Sequence, residues 1–290
     1  MAQSNQNQQP IFPAQHQDVQ PGLESIMNPR PVFEDTAYRA SGKLSHKTAI
    51  ITGGDSGIGR AVAIAFAKEG ADVAIVYFNE HDDAGETKPL IEREGRRCLL
   101  IHGDIGNEGF CQEVAAQVIQ DFGKLEIVVN NAAEQHPQNS ILDITDEQLQ
   151  RTFRTNFFGY FYLVKAVLPH LKAGSSIINT ASITAHKGDE LLIDYSASKG
   201  AVVSFTRSLS ESLVKIGIRV NAVSPGPVWT PLISASFQAD QVAVFGSDAP
   251  MKRAAQPKEL APIYVFLASE DSSYVSGQIF HVNGGTVIPC

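Results

Sequence analysis

Tyr195 and Lys199, four residues apart in "DYSASKG", are a pair of side chains that could move a proton. On a helix this spacing places both on one face, about 5–6 Å apart at Cβ. A lysine ammonium in that position stabilises a phenolate, so the tyrosine could serve as a general acid or base. The same pair also arises by chance on a solvated helix face, so its meaning depends on the residues around it.

Two polar residues upstream add to the pair. Ser182 comes directly after the apolar run "SSIINTA", and its hydroxyl could stabilise a developing alkoxide. Asn156 lies within a strongly apolar stretch, where an amide side chain needs a hydrogen-bonding partner. Asn156 has a second interpretation, in which it is a core residue satisfied by the backbone.

The stretch "TGGDSGIGR", residues 52–60, follows an apolar run and precedes residues with helical apolar spacing. Glycines at this point allow a tight turn and let a phosphate approach the N–H groups of the helix N-terminus. The spacing G-x-x-x-G-x-G is weak by itself, since a glycine-rich connector gives the same pattern. Its position between a strand and a helix indicates a dinucleotide site.

Strands and helices alternate about seven times along the chain. The strand candidates are continuous apolar runs, which indicates burial on both faces: "KTAIIT", "DVAIVY", "RCLLIH", "LEIVVN", "SSIINTAS", "IRVNAVSPG" and "GQIFHVNGG". The sequence therefore predicts an α/β fold: a single doubly wound Rossmann-type domain, with a seven-stranded mostly parallel sheet and helices on both faces. Ligands bind such sheets beyond the carboxyl ends of the strands.

The chain divides into three predicted parts. Residues 1–20 contain seven glutamines and are expected to be disordered. Residues 21–46 carry three prolines and scattered apolar residues, which suits an extended arm on the surface or, equally, a flexible tail. Residues 47–290 form the dinucleotide-binding catalytic domain, with a partly apolar substrate lid around 228–257.

Composition excludes several classes of protein. The 290 residues carry a formal net charge of −8 and no long basic run, so neither nucleic acid nor a membrane is an expected partner. The three cysteines form no C-x-x-C pair and the histidines form no H-E-x-x-H motif, so we expect no metal site. The start "MAQSNQNQQP" does not read as a secretory signal, and we expect a cytoplasmic protein.

Taken together, the motifs resemble those of the short-chain dehydrogenase/reductase family over residues 44–285. T-G-x-x-x-G-x-G falls on Thr52, Gly53, Gly57 and Gly59. N-N-A-G falls on residues 130–133, with Ala133 in place of the last glycine. The resemblance implies the catalytic residues Asn156, Ser182, Tyr195 and Lys199.

The resemblance also implies the binding residues. The cofactor would contact Thr52, Gly53, Asp55, Ser56, Gly57, Ile58, Gly59, Tyr77, Phe78, Asn79, Asp104, Ile105, Asn131, Ala132, Ala133, Tyr195, Lys199, Pro225, Gly226, Val228 and Thr230. The substrate would contact Ser182, Thr184, Gln135, Tyr195 and Pro227, with Glu134 and Leu191 nearby.

The implied activity is NAD(P)-dependent hydride transfer between the nicotinamide and an alcohol or carbonyl substrate. Sugars, small aldehydes or ketones and oxoacyl groups all remain open as substrates. Tyr195 would exchange the proton, and we expect Lys199 to lower its pKa by about three units from the usual value near 10, with help from the oxidised nicotinamide. By resemblance, Asn156 would hold a water that links Lys199 to solvent.

The end of the second strand decides between NAD and NADP in such folds. Tyr77 and Phe78 stand where an acidic residue or an arginine is usual, while Glu80, Asp82 and Asp83 follow. An NADP 2′-phosphate would be repelled there, whereas Asn79 could bond a free ribose hydroxyl. We therefore predict NAD, with NADP as the alternative.

Two other functional interpretations compete. A nucleotide-binding sensor or scaffold without catalysis would not need the set Asn156, Ser182, Tyr195 and Lys199. A serine hydrolase built on Ser182 and His186 lacks the G-x-S-x-G elbow.

The stretch "RTFRTNFFGYFYLVKAVLPHL" carries more aromatic residues than one sheet contact can bury. Such an excess apolar face is typical of a subunit interface. By resemblance to relatives that pack this helix and its neighbour against symmetry mates, we predict a homotetramer.

Overall fold

In the computed structural model, which describes residues 9–288, seven parallel strands form one sheet in the order β3-β2-β1-β4-β5-β6-β7. The strands are β1 (Thr48–Thr52), β2 (Asp72–Tyr77), β3 (Cys98–His102), β4 (Ile127–Asn130), β5 (Ser176–Thr180), β6 (Arg219–Pro225) and β7 (Ile279–Val282). The predicted Rossmann-type sheet is confirmed, and every pairing in it is parallel.

Helices cover both faces of the sheet, which is why the strands are apolar throughout. They are α1 (Gly57–Lys68), α2 (His81–Glu92), α3 (Glu108–Phe122), α4 (Asp146–Phe153), α5 (Gly159–Val167), α6 (Thr184–Lys187), α7 (Ile193–Leu213), α8 (Pro231–Ser234), α9 (Ala239–Ala243) and α10 (Pro257–Ala268). One core packs α1, α2 and α10 on the sheet, and the other packs α3, α5 and α7.

The strand order reverses between β1 and β4, which are neighbours in the sheet although two strands separate them in the chain. The chain after β1 enters α1 on one face, and the chain after β4 leads to α5 on the other. The two turns therefore diverge and leave a crevice at the carboxyl edge, where such folds bind ligands.

The segment before the sheet departs from the prediction. Residues 9–20 pack on the domain: the N–H groups of Ile11 and Phe12 donate to the Ala243 carbonyl at 2.9 and 3.1 Å, and the Phe12 ring stacks on Trp229 with centroids 3.7 Å apart. The prediction of disorder is wrong for residues 9–20, because Phe12 finds an aromatic partner and the glutamine amides pair with backbone groups. Residues 1–8 of that prediction lie outside the described residues.

The arm of residues 21–46 lies against α1, α2 and the segment 228–257. Glu24 is buried and contacts the start of α1, and the Trp229 indole N–H donates to the Pro29 carbonyl at 2.8 Å. Within 228–257, a parallel bridge pairs Val228 with Ala255, and Trp229 is the centre of a small apolar cluster. Over residues 9–288, no helix combines the length and the apolar character that a membrane span requires.

A fully buried arginine connects the arm to the domain. The Arg60 guanidinium on α1 donates to Glu24 at 2.6 Å through Nη1, and its Nη2 lies 3.4 Å from a carboxylate oxygen of Asp83. Its Nε also donates to the Asp55 carbonyl at 2.7 Å. One cation therefore compensates two buried carboxylates.

Replacing this arginine tests how much the connection contributes. Arg60→Met should lower the free energy of unfolding by about 3–5 kcal/mol, because it leaves Glu24 and Asp83 buried without the counter-ion that contacts them, and only the more distant Arg30 remains near both. Lys165→Met, which removes a largely exposed ion pair with Glu108, should cost less than about 1 kcal/mol. Urea unfolding of both variants measures the difference, and equal losses would contradict this account.

Candidate active site

A cavity of about 310 Å³ opens at the carboxyl ends of the strands. It is lined by the turns after β1, β2, β3 and β4, by the start of α7, and by the segment from Pro225 to Ile233. The predicted cofactor and substrate residues therefore come to one place, although they are spread over most of the chain.

The glycine turn after β1 needs its glycines for three different reasons. A Cβ on Gly59 would lie 1.8 Å from the Gly53 carbonyl oxygen, so only glycine lets the two ends of the turn pack this closely. Gly53 and Gly57 have φ angles of +61° and +51°, which side chains rarely adopt. Gly57 also faces Thr230, which a Cβ would approach to 3.1 Å. The result is a bare backbone surface at the N-terminus of α1 that suits a phosphate.

Thr52 and Asn131 tie this turn to the one after β4. The Thr52 hydroxyl accepts from the N–H groups of Asn131 and Ala132 at 2.9 and 3.1 Å. The Asn131 amide donates to the Thr52 carbonyl at 3.2 Å. Thr52 and Gly59 therefore support the two turns without lining the cavity themselves. Gly53, Asn131 and Ala132 do line it.

The end of β2 differs in part from the expectation. Tyr77 and Phe78 line the cavity, but Asn79 is exposed and Glu80 lines the cavity instead. Burial, together with the nearby Glu80 carboxylate, raises the pKa of Asp55 to about 7. Arg60, the cation within the first helix, is already engaged by Glu24 and Asp83.

Ser182 and Tyr195 meet at the other end of the cavity. Ser182 follows β5, and its hydroxyl accepts from the Thr184 N–H and hydroxyl at 3.2 and 3.0 Å. Tyr195 lies in the first turn of α7 and is almost fully buried. Burial raises the pKa of Tyr195 to about 12, and a hydrogen bond with Ser182 opposes this rise.

Lys199 lies one turn further along α7 and is completely buried. Its Nζ donates to the Thr180 carbonyl at 2.8 Å and to the Tyr160 hydroxyl at 3.2 Å, and it lies 5.8 Å from the centroid of the Tyr195 ring. Burial lowers the pKa of Lys199 to about 7. We expected Lys199 to lower the pKa of Tyr195, but in the polypeptide without cofactor that pKa is raised. The reason is that burial disfavours both the phenolate and the ammonium.

The side chain of Asn156 is hydrogen-bonded mainly to the backbone, as in the second interpretation of this residue given above. It lies in a π-helical turn, Arg154–Phe158, between α4 and α5. Its Oδ1 accepts from the Glu134 N–H at 2.9 Å, and its Nδ2 donates to the Glu134 carbonyl at 2.9 Å and to the Ser198 hydroxyl at 3.1 Å. Both amide hydrogens are used, so the side chain fixes the turn after β4 rather than contacting Lys199.

The other residues predicted to bind cofactor or substrate either line the cavity or lie next to a residue that does. Lining the cavity are Asp55, Ser56, Ile58, Asp104, Ile105, Ala133, Glu134, Gln135, Thr184, Pro225, Gly226, Pro227, Val228 and Thr230. Leu191 was expected there, but its neighbour Leu192 lines the wall. Sequence reasoning missed Tyr160, Thr180 and the arm residues Pro21 and Gly22, since no local motif marks them. Within residues 9–288, no cluster of His, Cys, Asp or Glu suits a metal ion.

Comparison with known proteins agrees with this geometry. The sequence profile of a family described as enoyl-(acyl carrier protein) reductase matches residues 53–287. A protein of Bacillus subtilis (strain 168) named uncharacterized oxidoreductase YhxC is 66% identical over 277 residues, which are 96% of each chain. The glucose and ribitol dehydrogenase of Daucus carota is 50% identical over 283 residues, covering 96% of this chain and 97% of the carrot protein.

A solved structure gives the same result. The short chain dehydrogenase from Burkholderia cenocepacia J2315, in complex with NADP, superimposes with a TM-score of 0.79 at 29% identity. The match covers 84% of this chain and 98% of that one.

The depressed pKa of Lys199 predicts a pH-dependent stability. Between pH 7 and about 10 the unfolded chain binds a proton at this lysine and the folded chain does not, so wild-type stability should rise with pH by up to about 1.4 kcal/mol per unit. Lys199→Met lacks this contribution. Urea unfolding at pH 7, 8 and 9, without cofactor, should therefore show the wild type gaining on Lys199→Met as pH rises.

An exposed lysine provides the control. Lys172→Met should follow the wild-type pH dependence. Parallel pH profiles for wild type and Lys199→Met would contradict a buried lysine whose pKa is lowered to about 7.

Proposed function

The chain belongs to the short-chain dehydrogenase/reductase family and is an NAD(P)-dependent oxidoreductase, and we propose that Ser182, Tyr195 and Lys199 carry its chemistry. The observation that supports this assignment is the meeting of these three side chains at one end of the cavity. The Tyr195 hydroxyl bonds Ser182, and Lys199 follows one turn later on the same helix. Asn156 is proposed as a residue that positions the turn after β4.

The glycine turn suits a dinucleotide, since its bare backbone is open where a Cβ would obstruct a phosphate. When bound, the nicotinamide cofactor donates or accepts the hydride. Gly53, Ser56 and Ile58 would hold its phosphate region, while Thr230 and Val228 would hold the opposite end.

The protein moves the proton. Tyr195 is protonated at neutral pH, because burial raises its pKa to about 12, so in the reducing direction it is ready to donate to a substrate oxygen. Ser182 can hydrogen-bond the same oxygen and stabilise it as negative charge develops. Lys199 donates to the buried Tyr160 hydroxyl and to the Thr180 carbonyl, and its Nζ lies 5.8 Å from the centroid of the Tyr195 ring.

The alternative of a sensor or scaffold without catalysis receives no support. The relatives above are named oxidoreductase or dehydrogenase, and this chain matches them over nearly their whole length. The serine hydrolase interpretation also lacks its base: the Ser182 hydroxyl bonds Thr184 and Tyr195, while His186 lies against the His281 ring.

We propose a sugar, polyol or small aldehyde as substrate. The carrot relative is named for glucose and ribitol, and the wall beside Ser182 mixes charged side chains with apolar ones. Lys187 and Asp189 supply the charges, and Leu232 and Phe237 of the proposed lid supply the apolar surface. Such a mixture suits a small molecule with several hydroxyl groups.

Removal of the Tyr195 hydroxyl tests the chemistry. Tyr195→Phe should reduce turnover by a factor of about 100 or more, since positioned proton transfer contributes about 10²–10⁴. The assay follows the absorbance of the reduced nicotinamide with glucose, ribitol and glyceraldehyde. Tyr274→Phe, at a fully exposed tyrosine, should match wild type. Wild-type turnover by Tyr195→Phe would rule out the assignment.

We propose NAD rather than NADP as the preferred cofactor. Glu80, just after β2, and Asp55, in the turn after β1, are both buried and close enough to repel each other, and the cation within α1 is occupied by Glu24 and Asp83. Arg151, whose guanidinium lies 5.8 Å from the Phe78 ring, is itself bonded to Glu134 at 2.9 Å. A 2′-phosphate would therefore meet carboxylates, even though the Burkholderia structure contains NADP.

Competitive titration decides between the two cofactors. The oxidised NAD should bind at least about tenfold more tightly than NADP at physiological salt, from the repulsion of like charges a few ångströms apart. Glu80→Gln should narrow this ratio by strengthening NADP binding, whereas Glu92→Gln at the end of α2 should not. Tighter binding of NADP to the wild type would overturn the proposal.

We further propose a homotetramer. Phe158 and Phe161 remain 40% and 45% exposed on the helical stretch that contains α5, beside Phe205 of α7. Light scattering at micromolar concentration should give four times the chain mass of 31.3 kDa. Phe161→Glu should reduce that mass, whereas Leu142→Glu, at another exposed apolar residue, should not. A monomeric wild type would refute the interface.

We also place the protein in the cytoplasm. The supporting observation is that Cys98 and Cys111 are buried free thiols, as expected in a reducing compartment. Fractionation of cells that express the protein would test this location.

A further inference from the structure

Two primary-amide side chains hold consecutive residues of the segment that follows β4. Asn156 bonds both the N–H and the carbonyl of Glu134, at 2.9 Å each. Gln20 precedes the extended arm, and from here on the N-terminal arm means all described residues before the sheet, 9–46. Gln20 does the same for Gln135: its Oε1 accepts from the Gln135 N–H at 2.8 Å and its Nε2 donates to the Gln135 carbonyl at 2.9 Å. Each amide thus supplies both bonds that a neighbouring strand would otherwise supply.

The arm is anchored on both sides of Gln20. Before it, the Gln17 N–H donates to the Ser234 carbonyl at 2.8 Å, and its side chain bonds both backbone groups of Leu23 at 2.7 and 2.9 Å. After it, one Glu24 oxygen accepts from the Gly57 N–H at 2.7 Å and the other from Arg60 at 2.6 Å. The position of Gln20 is therefore set by the lid on one side and by the glycine turn on the other.

The arm also forms part of the cavity wall. Pro21 and Gly22 line the same cavity as Gln135, Ser182 and Tyr195. Gly22 packs directly on α8, since a Cβ there would lie 2.6 Å from the Pro231 carbonyl oxygen and 2.9 Å from the Ala235 Cβ. The arm is thus wedged between the lid and the segment after β4.

We propose that Gln20 is a positioning residue of the substrate pocket, which fixes Gln135 and makes the N-terminal arm part of the active site. This inference rests on the proposed function, because its kinetic consequence is read through substrate turnover. Gln135 lines the wall near the reacting groups but does not contact Tyr195 or Lys199 through any bond that the structure describes. Gln20 should therefore affect substrate binding more than the chemical step.

Gln20→Ala tests the proposal. The KM for the panel compound that wild type converts fastest should rise about fivefold, from loss of the two neutral hydrogen bonds that hold Gln135, while kcat stays within about twofold. A role in stability alone would lower the concentration of active enzyme, which reduces apparent kcat and leaves KM unchanged. Hydrogen exchange without substrate gives a second readout: the peptide spanning residues 131–138 should exchange faster in Gln20→Ala.

Gln15→Ala is the matched control. Gln15 bonds both backbone groups of Asn28 in the same way, but it does so within the exposed part of the arm. This variant should change neither KM nor exchange in residues 131–138. Gly22→Ala is the second test variant, because its Cβ should push the arm from α8 and reproduce the rise in KM.

The outcomes separate this inference from the proposed function. An active wild type with unchanged KM in both Gln20→Ala and Gly22→Ala would overturn the role of Gln20 alone. An equal rise in KM for Gln15→Ala would also overturn it, since the effect would then belong to the arm in general. A wild type inactive on the whole panel would overturn the proposed function and this inference with it.

Discussion

The crevice at the carboxyl edge exists because the turns after β1 and β4 diverge, and divergence leaves backbone groups that no strand can pair. Side chains must satisfy those groups, since an unpaired buried N–H or carbonyl costs about as much as a lost hydrogen bond. Thr52 does so for Asn131 and Ala132, and Asn156 does so for Glu134. Two arm residues accept hydrogen bonds in the same manner: Gln20 from the Gln135 N–H and Glu24 from the Gly57 N–H. The shape of the binding site depends on these pairings.

Desolvation governs the chemistry of the same site. Lys199 is completely buried and Tyr195 is nearly so, and burial shifts both pKa values in favour of the uncharged forms: Tyr195 stays protonated at neutral pH, and Lys199, with a pKa of about 7, is protonated only in part. A site in this state is prepared to donate a proton. Oxidation of an alcohol needs the phenolate instead, so it requires additional positive charge near Tyr195 beyond what the buried lysine supplies.

The buried carboxyl groups of Glu80 and Asp55 lie at the cofactor end of the cavity, and the fold explains why no free cation from α1 accompanies them. Arg60 is not free to bind a phosphate, because it lies under the arm and compensates Glu24 and Asp83. Glu80 and Asp55 remain beside the cavity with raised pKa values, mainly because burial disfavours their charged forms. The arm therefore influences both ends of the pocket: it occupies a cation near the cofactor turn, and it supports the wall near Ser182.

The sequence by itself determined what depends on local spacing. Continuous apolar runs specify strands buried on both faces, the glycines after β1 specify a turn with positive φ, and the four-residue interval places Tyr195 and Lys199 on one side of α7. Only the tertiary structure decided which polar groups meet. Gln20 and Gln135 are 115 positions apart, and a glutamine in a polar tail reads as disorder until the fold shows which backbone groups are unpaired. The pKa values of Tyr195 and Lys199 likewise depend on burial, which no interval in the sequence specifies.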